Sequence, residues 1–201
     1  MKISAQPGLE SFFPLFTAIY AEMGYKAEIT VVPNERALLQ VNAGEFDADL
    51  GRAADVIGPY PNLVYTNEPI ITIDLQAWAK KGSGIVIAAP ADLRPYRVGI
   101  VLGAKFEEAF TSSLGLYVEK VPSLDSLAKM LDLGRIDLVI TSTAILDSPI
   151  FAVGVLVAPK LATSQAFHVL NKMHVDLIPK FDEVLRTFKA DGRYLKLLSG
   201  K

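Results

Sequence analysis

The chain has 201 residues, 51% of them hydrophobic, a net charge of −2 and no cysteine. These values leave room for one large or two small packed domains, and they exclude disulfides, thiol catalysis and cysteine-based metal sites. Its 20 basic and 22 acidic residues are scattered, which offers neither a broad basic surface for nucleic acid nor a polybasic membrane anchor, and no apolar run is long enough to span a bilayer.

Residues 2–6 read as a first strand, broken by Pro7-Gly8. Met1-Lys2 runs straight into that strand rather than into an apolar leader, so the sequence reads as cytoplasmic or as the mature form of an exported protein. Residues 9–23 read as a helix ending at Gly24. Phe12, Phe13, Leu15, Phe16, Ile19 and Tyr20 make it apolar on most sides, which predicts burial. The helix starts directly after a strand end, where free N–H groups favour an anion, and Gln6 and Glu10 flank that junction. Glu10 is also the residue that helix electrostatics prefers in a first turn. Residues 26–32 read as a second strand, with Ala27, Ile29 and Val31 alternating with polar residues.

Residues 34–52 are the most informative stretch. Ala37, Leu38, Leu39 and Val41 form an apolar helical stripe, and Gly44 supplies the left-handed residue that ends the helix. Residues 46–50 then alternate apolar and acidic side chains, as an exposed or half-buried strand does. The pattern returns at residues 127–142, where Gly134-Arg135-Ile136-Asp137-Leu138 matches Gly44-Glu45-Phe46-Asp47-Ala48. A repeated helix–strand unit predicts two similar α/β lobes, with a ligand cleft where they face each other.

Between the repeats, residues 53–61 read as loop and 62–66 as a strand turned by Asn67-Glu68-Pro69. Residues 70–79 read as a strand able to cross from one lobe to the other, 85–89 as a brief strand, and 97–101 as a strand leading through Gly103 into a helix over 104–113. Residues 115–120 form the next strand, and Ser123 caps a helix over 124–133. Residues 137–141 and 151–158 read as strands, and 165–170 as a return crossing. A helix over 174–189 and a short one over 194–198 close the chain.

Several residues are candidates for ligand contact. Arg52 follows the repeat strand, where its guanidinium could grip a carboxylate on two hydrogen bonds; its alternative is an ion pair with Asp49, Asp55 or Glu68. Arg36 sits in a first turn, which the helix dipole disfavours, so a ligand anion, Glu35 or Asp47 should compensate it. Glu68 stands near the crossing. Gly103, Ala104 and Lys105 form a second strand–helix junction able to hold an anion. Thr141, Ser142 and Thr143 place hydroxyls at a strand end, for a ligand or for a helix cap. Trp78 reads as core, and His168 and His174 as structural rather than metal-binding. No cofactor motif is present in the sequence.

RALLQVNAGEFDADLG, YTNEPI, DLRPYRVGIVLGAKFEEAF, SLDSLAKMLDLGRIDLVI and FDEVLRTFKADGRYLKLL follow one another in the chain. In that order they resemble a divergent branch of the bacterial extracellular solute-binding proteins of family 3, with the type II periplasmic binding fold. The resemblance implies an α/β fold of two lobes joined by two crossing hinge strands, lobe one from residues 1–77 and 166–201 and lobe two from 78–165. It implies a periplasmic monomer that closes on a small ligand and serves an ABC transporter or a sensor system. Amino-acid binders of this family carry an Arg downstream of the Phe-Asp-Ala, where this chain has Gly58-Pro59-Tyr60, and an Asp after the second repeat strand, near Ser142 here. Arg52 is the replacement cation, and with two helix N-termini it points to a carboxylate-bearing ligand. Arg52→Ala is then expected to abolish ligand-dependent stabilisation and leave the fold intact. Among relatives of these binders are dehydratases of cyclic carboxylic acids, an alternative that would need Glu10 or Glu68 as general acid. A third alternative is a lobe pair that binds only a protein.

Overall fold

The structure, a computed structural model, describes residues 1–54 and 56–199. The chain opens with β1 (Lys2–Ala5), α1 (Phe13–Glu22), β2 (Glu28–Val31), α2 (Asn34–Ala43) and β3 (Ala48–Ala53), followed by β4 (Leu63–Tyr65) and β5 (Ile71–Lys80). It continues with β6 (Val98–Val101), α3 (Lys105–Ser113), β7 (Val118–Val121), α4 (Leu124–Asp132) and β8 (Leu138–Ser142). The last elements are α5 (Ile150–Val153), β9 (Gly154–Asn171), α6 (Ile178–Ala190) and α7 (Arg193–Ser199). Two compact units result, one of Met1–Thr72 with the chain from Gln165 onward, the other of Ile73–Ser164. The chain passes between them at 72/73 in β5 and 164/165 in β9, against the expected 77/78 and 165/166.

Each unit is built on the same parallel triplet. In the first, β1 lies between β2 and β3, and β3 pairs antiparallel with the C-terminal half of β9. In the second, β6 lies between β7 and β8, and β8 pairs antiparallel with β5. The repeat seen in the sequence has one structural role in both. Gly44 and Gly134 take φ of 78° and 66°, the left-handed region that ends a helix. The Asp three residues on then closes the sheet. Asp47 accepts the Lys2 N–H at 2.7 Å and Asp137 the Arg97 N–H at 2.9 Å, so each carboxylate holds the entry of the central strand beside it.

Packing follows the apolar stripes. α1 buries Leu15, Phe16, Ile19 and Tyr20, and α6 brings Phe181 against Phe16 and Tyr20. In the second unit, Leu127, Ala128 and Leu131 of α4 pack with Ile136, Val139 and Ile150. Each large aliphatic or aromatic side chain so buried contributes about 1.5–3 kcal/mol. Trp78 packs in this cluster, its ring 4.7 Å from that of Phe151.

Several elements differ from the sequence expectation. β3 was expected exposed or half-buried, yet all six of its residues are buried, because it is flanked by β1 and β9. The expected strand over 85–89 is irregular chain. The two strands expected over 151–158 and 165–170 are one strand of 18 residues, β9, with α5 taking 150–153. The helices expected from 9 and 174 both open with 3₁₀ turns, Glu10–Phe12 and Lys172–Leu177. The α-helix proper begins where a proline, Pro14 or Pro179, occupies the first turn.

Candidate functional site

The strand order in both units reverses at the central strand: the chain leaves β1 to form β2 on one side and β3 on the other, and leaves β6 to form β7 and then β8. In open parallel sheets the crevice outside the C-terminal strand ends, at this reversal, is where ligands bind. In the first unit Gln6 follows β1 and Arg52 lies near the end of β3, so both stand at the reversal. Gln6 donates from Nε2 to the Gly51 carbonyl at 3.0 Å, tying the two strand ends together.

Arg52 is only 3% exposed. Its Nε and Nη2 donate to the two carboxylate oxygens of Asp49, both at 2.9 Å, and Nη2 also reaches the Asn34 carbonyl at 3.2 Å. Asp49 further accepts the Ser4 hydroxyl at 2.9 Å and the Gly51 N–H at 3.3 Å. Of the alternatives weighed for Arg52, Asp49 is its partner, Glu68 is bound elsewhere, and Asp55 lies outside the described residues.

A β-bulge makes this pairing possible. Along β9 the partners advance two residues, from Val169 to Phe167, while along β3 they advance three, from Asp49 to Arg52. The extra residue re-aims the strand, and two side chains that would lie on opposite faces meet. His168 sits across from the bulge, fully buried. Its Nδ1–H donates to the Leu50 carbonyl at 3.1 Å, so Nε2 accepts from the Tyr20 hydroxyl at 2.7 Å, and Phe181 stacks on the ring at 4.6 Å. Burial pulls the His168 pKa down from 6.5 to about 4, outweighing the opposing pull of Leu50 and Asp49, and raises that of Tyr20. His168 is therefore neutral at pH 7.

The remaining first-unit candidates lie apart from this network. Glu10 is exposed in the 3₁₀ turn after β1, and Arg36 is exposed in the first turn of α2; neither has a charged partner among the described residues. Glu68 pairs with Lys189 of α6 at 2.6 Å. Its turn is held by Asp182, which accepts the backbone N–H groups of Asn67 and Glu68 at 3.1 and 2.9 Å. The sequence reading missed Asp182, although its place in the stripe Ile178, Phe181, Leu185 was a usable signal: an acid among core positions needs donors. Ser4 was missed too, one small hydroxyl in an apolar strand.

In the second unit, Gly103 follows β6 with φ of 76°. Its N–H donates to Glu108 at 3.2 Å, and Glu108 also binds Lys120 at 3.1 Å and Lys105 at 3.3 Å. Burial pushes the Glu108 carboxyl up, but Lys120, the Gly103 N–H and Lys105 together hold it below its usual value. Ala104 is the N-cap position of α3. Thr141 is buried in β8 opposite Gln76, and the Ser142 hydroxyl accepts the Ala144 N–H at 3.1 Å within the turn after β8; the next helix, α5, starts only at Ile150 with Pro149 at its N-cap, so Ser142 does not cap it. Thr143 accepts the Asp74 N–H at 2.9 Å. Among the described residues no cluster of His, Asp or Glu has the makings of a metal site.

Neither a protein-family model nor a curated protein matches the chain. Solved structures do match. An ancestral arginine-binding protein bound to arginine superposes with a TM-score of 0.83 at 19% identity, over 100% of this chain and 96% of the other. The chain has the type II periplasmic binding fold. The same fold is shared with an amino-acid ABC transporter substrate-binding protein from Streptococcus pneumoniae bound to L-arginine, at a TM-score of 0.83, 16% identity and coverage of 100% and 93%. A histidine kinase sensor domain similar to periplasmic binding proteins also has it, at 0.82, 16%, and 100% and 94%. At these identities the likeness establishes the architecture, and the chemistry has to be argued from this chain's own residues.

Proposed function

We propose that the chain is a solute-binding protein that holds a small polar ligand at the C-terminal strand ends and serves a membrane transporter or a sensor protein. One observation carries the reading: the parallel triplet is repeated, and in each unit the candidate residues collect at the strand reversal, Gln6 and Arg52 in one, Gly103, Ala104, Lys105, Thr141 and Ser142 in the other. Glu10 and Arg36 rim the first edge; Glu68, bound to Lys189 beside α6, contributes to the turn into β5. The structures sharing this fold include transport and sensor proteins, two of them bound to arginine, which supports the reading. We assign the protein to the periplasm as a monomer; among the described residues no helix is long and apolar enough to cross a membrane. The dehydratase alternative needs an acid without a charge partner: Glu68 has one in Lys189, which leaves that role to Glu10, exposed and without a charged partner among the described residues.

A thermal-shift screen against amino acids, dicarboxylates, aromatic acids, polyamines and sugars tests this reading. A ligand at a hundredfold excess over its Kd should stabilise the fold by about 2.7 kcal/mol, a plain rise in Tm. Consumption of the hit with formation of a product would replace binding by catalysis, and a panel without a single shift would count against a small-solute role.

A further inference from the structure

The chain that leaves β3 is built around one phenol oxygen. The ladder with β9 runs out at Ala54, whose N–H donates to the Gln165 carbonyl at 2.9 Å. Beyond that point the backbone turns to Tyr65, the last residue of β4. The Tyr65 hydroxyl donates to the Ala53 carbonyl at 2.7 Å and accepts the Val56 and Ile57 N–H groups at 3.0 and 3.3 Å. One side-chain oxygen therefore ties the last carbonyl of β3 to two amides of the segment that follows.

The phenol is itself well seated. Its ring centre lies 5.7 Å from that of Phe167, the β9 residue that pairs with Arg52. Tyr65 and Ile57 both pack against the buried cluster of Leu38, Val41, Leu63 and Val169. From there the Tyr60 N–H reaches back to the Ile57 carbonyl at 2.8 Å, so the path set at Tyr65 carries on along the connection. Val56 and Ile57 are only half-buried. A backbone of that kind holds a single path only where its polar groups are tied. Connections that leave the C-terminal strand ends at a reversal wall the crevice in which a ligand sits, and this one begins directly after Arg52 and Ala53.

We propose that Tyr65 is a positioning residue of the solute site: its hydroxyl sets the path of the connection from β3 and, through it, the shape of the first unit's strand-end edge. The proposal rests on the solute-binding reading and deepens it by naming a residue that shapes the site through the backbone rather than by contact with the solute.

Tyr65→Phe tests it, because it removes the oxygen and keeps the ring against Phe167. In hydrogen–deuterium exchange of the ligand-free chain, Val56 and Ile57 should exchange about tenfold faster, while the amides of β1 and β2 keep their rates. In calorimetry with the compound that gives the largest shift in the thermal screen, the affinity of Tyr65→Phe should fall about tenfold. Val184→Ala supplies the control for a loss of stability alone. It opens a cavity at a buried position of α6 outside the cluster on which Tyr65 packs, so it should lower Tm at least as far and leave the affinity within about twofold.

Unchanged exchange at Val56 and Ile57 overturns the proposal. So does faster exchange with wild-type affinity, and so does an equal loss of affinity in Val184→Ala, which would make the effect one of stability. A screen in which no compound binds removes the solute-binding reading and the proposal with it, whereas the other three outcomes remove the proposal alone.

Discussion

Arg52→Ala should destabilise the folded chain by about 3–5 kcal/mol, the usual cost of removing one partner of a buried ion pair. The substitution strips two charged hydrogen bonds from Asp49, which has no exposure to solvent and, among the described residues, keeps only the Ser4 hydroxyl and the Gly51 N–H. A buried carboxylate that has lost its cation is costly, so the bulge is expected to open. Urea unfolding of wild type, Arg52→Ala and the double variant Arg52→Ala/Asp49→Ala measures the effect. The double variant should be less damaged than the sum of the two single changes, because it leaves no orphaned charge. Read as a ligand grip from sequence, Arg52 would be dispensable for folding; buried and paired, it is not. A loss below about 1 kcal/mol, the value of an exposed pair, would mean that the bulge does not depend on it.

The second large effect is a loss of stability in acid centred on His168. Its pKa is about 4 in the folded chain against 6.5 for a free side chain, so between these values the unfolded chain binds a proton that the folded chain refuses. Stability therefore falls as pH is lowered from about 6.5 to 4, by about 3 kcal/mol from this group alone, at 1.36 kcal/mol per pH unit. Protonation would make both ring nitrogens donors. The Leu50 carbonyl still accepts one, but the Tyr20 hydroxyl would have to turn from donor to acceptor, leaving its own proton without a partner in a buried site. A series of unfolding curves from pH 7.5 to 4.5 on wild type and His168→Gln separates this group from the carboxylates that titrate below it. The wild-type slope should be steeper by about one proton over that range, and equal slopes would show that His168 is not the group responsible.

Much of the architecture could be read from the sequence because it is local. The Gly-x-apolar-Asp signature of the repeat encodes a helix stop and a strand entry, and both copies do the same job at Lys2 and Arg97. The apolar stripes of α1, α4 and α6 likewise state which face is buried. What the sequence hid depends on pairing between distant strands. Asp47 and Asp49 stand at alternate positions in the run into β3, as in a solvent-facing strand, yet β3 lies between β1 and β9, and Asp49 survives there through Arg52 and Ser4. The bulge that brings Asp49 and Arg52 together is a matter of register against β9, and no local pattern announces it. The same limit applied at the candidate site. Residue types and strand ends singled out Gln6, Arg52 and Gly103, which lie at or just after the ends of β1, β3 and β6, but whether a charge is free for a ligand depends on neighbours such as Glu108 and Asp49. Their own roles were not legible from spacing.

The central claim is that a small solute is held at the strand reversals. Hydrogen–deuterium exchange of the chain with and without the hit from the thermal-shift screen tests it most directly. The account predicts added protection concentrated over residues 6–11, 50–53, 103–106 and 141–144, with the shallow groove of about 470 Å³ formed by Arg94, Tyr96, Arg97 and Tyr117 unchanged. Protection gathered instead at that groove, at the far ends of β6 and β7, would place the ligand elsewhere and contradict the account.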